Sequence, residues 1–108
     1  MADLAFLDNA VIVAADGQML GLISRDPFSP DSIANPFGTY GSRYSAASIF
    51  NPYGTYGSEF MFLSPWNRYT TTPPRIMVHS HFHAYLTVNP YLRPRIHPSV
   101  LAAEFISR

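Results

Sequence analysis

The chain of 108 residues contains no cysteine and no lysine, and only 13% of its residues carry charge. Without cysteine, disulfides, thiolate metal ligands and a cysteine nucleophile are all excluded, and the redox compartment stays open. Seven arginines balance seven acidic residues for a net charge of zero, so no basic field exists to draw nucleic acid or an anionic membrane surface. A charged fraction about half the usual share also removes the self-repulsion that keeps monomers apart, so the expected partner is the chain itself or a larger protein assembly. Long hydrophobic runs are absent too. The N-terminal stretch MADLAFLDNAVIVAADG has no basic segment, and Asp3 and Asp8 break its apolar residues. Neither a signal peptide nor a membrane insertion is expected, which makes the cytoplasm the expected compartment.

What the chain does have is proline, at ten positions, and aromatic residues, at 15%. That proline content, about double the average, argues against a mainly helical fold. So many rings with so little charge argue against disorder. The length suits one domain with its own core, taken as residues 1–108.

A phrase repeats at a spacing of sixteen residues. Ser32, Ile33, Asn35, Pro36, Gly38, Thr39, Tyr40, Gly41 and Ser42 recur as Ser48, Ile49, Asn51, Pro52, Gly54, Thr55, Tyr56, Gly57 and Ser58. Phe37 becomes Tyr53, Tyr44 becomes Phe60, and a decayed third copy keeps Ser64, Asn67 and Tyr69 at the same offsets. A fainter duplication encloses these copies. LGLISRDPF aligns with HAYLTVNPY, which pairs Ser24 with Thr87, Asp26 with Asn89, Pro27 with Pro90 and Phe28 with Tyr91. The predicted architecture is a small, mainly β single domain of two duplicated β-hairpins flanking three sixteen-residue aromatic loop repeats, with a short C-terminal helix. Its parts are a first hairpin unit over 10–31, loop repeats over 32–74, a second hairpin unit over 75–96, and the helix within 97–108.

Local chemistry supports each part. Val11 to Val13 and Met19 to Ile23 are β-prone runs around Asp16-Gly17, which predicts a type I′ turn with positive φ at both central residues. The second hairpin has Ile76 to Val78 and Phe82 to Val88 around a turn near His79 to His81. Asn35-Pro36-Phe37-Gly38 and Asn51-Pro52-Tyr53-Gly54 carry the residue preferences of a type I turn. Tyr40-Gly41-Ser42 and Tyr56-Gly57-Ser58 predict a second bend in each copy. Stacked copies would align Phe37, Tyr53 and Tyr69 in one column and Tyr40 and Tyr56 in another, hiding the rings and leaving their hydroxyls wet. Pro98, Leu101 and Phe105 predict an amphipathic helix of about two turns.

The segment LGLISRDPFSPDSIANPFGTYGSRYS resembles the tandem NPYGxYGSxYS repeats of bacterial hypothetical proteins, in which an LGxLSxNPYDPDSI segment precedes the repeats and a hairpin follows them. The likeness runs loosely from Val11 to Val100. It implies the same plan of hairpin, repeats and hairpin, and it implies no activity, cofactor or catalytic residue. This chain departs from the pattern by placing histidines where an Asp-Gly type of turn is usual.

Two groups of residues carry candidate chemistry. His79, His81 and His83 occupy alternate positions, which on an extended strand face one side, and imidazole nitrogens favour zinc or nickel. The plainer alternative is that they surround the turn of an exposed hairpin, where side chains diverge. The serines sit in repeat phrases without a Gly-x-Ser-x-Gly elbow, the carboxylates sit at turns and ends, and no glycine loop leads into a lysine. No catalytic residue is therefore assigned. Tyr40, Tyr56 and Trp66, with Arg43 and Arg68, are the candidate interface, because aromatic residues and arginine dominate the energetic centres of protein contacts. Open hairpin edges offer a second route by strand addition. The expected function is a non-catalytic structural or interaction module; a metal-binding protein using the histidine cluster and a small ligand-binding module with a tyrosine and tryptophan face are the alternatives.

Overall fold

Two short antiparallel pairs, formed by β-prone runs at opposite ends of the chain, meet in the middle of one sheet. In the computed structural model, which describes residues 5–106, β1 (Val11–Val13) pairs with β2 (Met19–Leu22), and β3 (Arg75–Val78) pairs with β4 (His81–Leu86). β1 and β3 join the two hairpins antiparallel, with Ile12 opposite Ile76. A fifth strand, β5 (Arg95–Ile96), lies parallel to β4, giving a mixed sheet of order β2-β1-β3-β4-β5. A short helix, α1 (Pro98–Phe105), follows. The radius of gyration of 12.2 Å is close to the ~13 Å expected of a folded chain of this length, so the fold is a small compact domain.

The hairpin turns exchange roles relative to expectation. At Asp16-Gly17 only Gly17 has a positive φ, 92°. The Ala14 N–H donates to the Gln18 carbonyl at 2.8 Å and the Gly17 N–H to the Ala14 carbonyl at 2.9 Å, which closes a three-residue loop ending on a left-handed glycine. The two-residue turn is in the second hairpin, where His79 (φ 51°) and Ser80 (φ 67°) both take the left-handed conformation between the paired residues Val78 and His81. Strand register, not glycine, imposes that geometry.

Between β2 and β3 the chain makes neither strand nor helix. Short turns follow one another from Ser29 to Thr70. Backbone N–H groups of Ser45, Ser48, Asn51 and Gly54 each donate to the carbonyl three residues back, and the Ser58 N–H reaches four back to Gly54. Four three-residue steps and one four-residue step carry the chain from Ser42 to Ser58. The side chain opening many of these turns also accepts the N–H two residues ahead: Asn35 from Phe37 and Asn51 from Tyr53, both at 3.0 Å, and Asn67 from Tyr69 at 2.9 Å. Serines 32, 42, 45, 48, 58 and 64 do the same. Short oxygens thus satisfy backbone groups that tight turns would otherwise leave unpaired.

The core lies between the sheet, the helix and these turns. Ile12, Leu20, Ile23, Ile76, Leu86, Leu101 and Phe105 are buried there, as Leu101 and Phe105 should be if one helical face is covered. Ile33 and Ile49 join them at 0% exposure. Burying each isoleucine contributes roughly 1.5–3 kcal/mol. Pro98 stands at the start of α1, and the His97 Nδ1 accepts the Ser99 N–H at 3.1 Å as its cap. The helix ends at Phe105, and residues 107 and 108 of the predicted segment lie outside the described residues.

Candidate interaction surface

The interior of the turn segment is occupied by short polar side chains, and this decides where the rings go. Ser32, Ser48, Ser64 and Thr70 are at 0% exposure, and no buried side-chain nitrogen or oxygen among the described residues lacks a partner. Phe37 and Tyr53 are accordingly 94% exposed, with Tyr44, Phe60 and Tyr69 also in solvent. The expected column of hidden rings does not form. Among the described residues the ring pairs are Phe6 with His83 and Phe82 with Tyr85, and Phe37, Tyr53 and Tyr69 make no ring pair with one another.

Tyr40 and Tyr56 behave differently from the rings beside them. Both are half-buried and pack against the core. Tyr40 lies over Gly21, where an added Cβ would fall 2.8 Å from the Tyr40 Cβ, so that glycine opens the seat for the ring. The Tyr56 hydroxyl donates to Asp16 Oδ2 at 2.7 Å and ties the turn segment to the first hairpin loop. That bond holds the Asp16 carboxyl below its ordinary value, helped by the Gln18 N–H, and the carboxylate in turn raises the Tyr56 phenol. Trp66 is partly buried, with its Nε1–H donated to the Ile49 carbonyl at 2.7 Å. Of the five candidate interface residues, Arg43 and Arg68 are exposed, and the Arg68 guanidinium lies 5.8 Å above the Tyr69 ring.

Two neighbouring depressions run over this outer face. The first, about 490 Å³, is lined by Arg43, Phe50, Tyr53, Glu59, Phe60 and Trp66 among others. The second, about 380 Å³, shares Glu59, Phe60 and Trp66 and continues to Phe62, Arg68 and Tyr69. Together they form one trough with aromatic walls and charges of both signs. Tyr53 and Tyr69 belong to the tyrosine face that the sequence suggested, whereas Phe60 and Phe62 were not expected there; Phe60 sits on the same turn pattern as those two tyrosines, its N–H donated to the side chain two residues back.

The histidines spread along the second hairpin. His79 forms its turn, while His81 and His83 lie on β4. His83 is the extra residue of a bulge, because Met77 pairs with Phe82 and Ile76 with Ala84, and its ring meets the edge of Phe6 at 5.0 Å. Among the described residues no three His, Cys, Asp or Glu side chains gather closely enough to hold a metal ion. The hairpin edges are also occupied. The outer side of β2 takes a bridge from Ser32, with the Leu22 N–H donated to the Asp31 carbonyl at 2.7 Å, and β4 is covered by β5. Strand addition therefore has less open backbone to use than two free hairpins would offer.

No helix among the described residues is long and apolar enough to cross a membrane. Comparison with protein-family models, with curated proteins and with solved structures finds no match to this chain.

Proposed function

We propose that the chain is a non-catalytic structural or protein-interaction module of the cytoplasm, which associates with itself or docks as an accessory subunit on a larger assembly. The observation that carries this reading is the trough of exposed rings from Tyr53 to Tyr69. Soluble monomers rarely leave a contiguous apolar patch of more than a few hundred Å² open to water, and such patches mark interaction sites. The hydroxyls and amides that hydrolytic chemistry would recruit are committed instead to turn bonds, which supports a structural role for them.

The same reading treats the sixteen-residue phrase as a repeated unit and the two hairpins as a duplicated pair. Equal hydrogen bonds at Asn35 and Asn51 support the first. The second draws on a shared irregularity: Leu20 in β2 and His83 in β4, which the sequence aligns, are both the unpaired residue of a bulge opposite Ile12 or Ile76. Likeness of the phrase to tandem bacterial repeats points the same way. Sedimentation velocity across a wide concentration range, with tag-free protein used as bait in lysate of its source, tests the function. A mass above the monomer or one stoichiometric retained protein is expected, and a monomer that retains nothing refutes the reading.

A further inference from the structure

We infer that the aromatic trough is a twofold interface for a second copy of this chain, in which Arg43 is set against Glu59 of the partner subunit; this rests on the self-association reading above. Three observations favour that occupant. The first is area. Tyr53, Phe60, Phe62 and Tyr69 are 62–94% exposed, and at 150–250 Å² per aromatic side chain they present roughly 600 Å². A standard interface takes about 800 Å² from each partner, so the rings supply most of it and Pro52 and Trp66 adjoin them in the same depression.

The second is charge. Arg43 and Glu59 line one depression, yet among the described residues neither makes an ion pair within the chain; the ion pair present there is Arg25 with Glu104. A twofold contact places each surface against itself, so a residue pair is always met twice. One arginine and one glutamate in one trough are therefore self-complementary, and Arg43 on Glu59 of the partner subunit occurs with its symmetric twin. The third is the kind of partner this charge pattern rejects. A polyanion needs unopposed cations, and Glu59 lines both depressions, in company with Arg43 in one and Arg68 in the other. An aromatic, nearly neutral surface carrying both signs matches a second copy of itself.

Sedimentation velocity on the full chain reads the outcome through charge reversal. Arg43→Glu and Glu59→Arg change exposed side chains, so far-UV circular dichroism should be unaltered. Each variant alone should dimerise at least tenfold more weakly than the original, because each twofold contact then opposes like charges. An equimolar mixture of the two should recover dimers, since in the mixed pair position 43 of each variant meets position 59 of the other with opposite charges at both contacts. Tyr53→Ser should weaken the dimer in the same assay. If the original chain forms dimers that neither reversal nor Tyr53→Ser weakens, the trough is not the contact, and self-association through another surface stands. If the reversals weaken the dimer but the mixture does not recover it, the pairing of Arg43 with Glu59 of the partner subunit is wrong. A monomer at every concentration overturns the inference and self-association together, and leaves only docking to a foreign protein.

Discussion

Replacing Gly57 by alanine tests whether the turns are as closely packed as their hydrogen bonds indicate. An added Cβ would stand 2.1 Å from the Asn51 carbonyl oxygen and 2.8 Å from the Asn51 backbone nitrogen. Those atoms have little freedom, because the same carbonyl accepts the Gly54 N–H at 3.1 Å and the Asn51 side chain accepts the Tyr53 N–H at 3.0 Å. Gly57 does not have the positive φ that would make the cost conformational. The effect is overpacking against backbone, at the upper end of the usual range, about 3 kcal/mol. Gly54→Ala is the control. Its nearest neighbour is the Asn51 Nδ2 at 3.2 Å, a side-chain atom, and alanine also restricts the unfolded chain, so the net change should stay within about 1 kcal/mol. Gly17→Ala meets no atom within 4 Å but keeps a φ of 92°, which costs about 1–2 kcal/mol. Urea unfolding followed by Trp66 fluorescence and far-UV circular dichroism ranks the three. With a slope of about 1–3 kcal/mol per molar urea, Gly57→Ala should lower the midpoint by about 1 M or more. A midpoint shift for Gly57→Ala no larger than that for Gly54→Ala would refute the close-approach reasoning.

The remaining predictions concern the core, the tie between hairpin and turns, and the histidine turn. Ile49→Ala should cost about 2–5 kcal/mol while Tyr53→Ser stays within about 0.5 kcal/mol, both read by urea unfolding at protein concentrations where the chain is monomeric; equal effects would contradict the inside and outside assigned to them. The Asp16 carboxyl is held below 3.8 by Tyr56, so the stability from this bond is complete above the unfolded value and is lost as pH falls through the lower folded one. Tyr56 is raised above 10.0, so its share is complete below that pH and is lost as pH rises through the folded value. Tyr56→Phe should therefore lower the urea midpoint by a constant amount from roughly pH 5 to 9, with the gap to the original narrowing at both extremes; a gap that persists unchanged in acid counts against the bond. Replacing His79-Ser80 by Asn-Gly suits the two left-handed positions and should stabilise by about 1 kcal/mol, or about 5 °C in Tm; a lower Tm would show that the native side chains are needed there.

Much of this fold was legible because its signals are local. Ser42, Ser45, Ser48 and Asn51 stand three apart in the chain, and each side-chain oxygen accepts the N–H two residues ahead, so the turn sequence is written in the order of the residues. Leu101 and Phe105 mark the helix in the same way. The repeated isoleucines at 33 and 49 were also visible, although the larger rings beside them drew the stronger expectation of burial. Gly41 and Gly57 illustrate the other limit. Their place in the phrase suggested a bend that needs conformational freedom, whereas the structure shows a carbonyl too close for any Cβ, a fact about distance that spacing does not encode.

By itself the sequence determined the elements: two short hairpins, a chain of turns and a terminal helix, each held by bonds between residues a few positions apart. Tertiary structure decided which rings of the turn segment meet water. The Tyr56 hydroxyl finds Asp16 forty residues away, and Arg25 finds Glu104 seventy-nine residues away. Tyr40 turns inward because Gly21 makes room for it, while Phe37, three residues earlier, turns outward. Burial depends on what else occupies the space, and residues distant in the chain fill it where the two hairpins pair through β1 and β3.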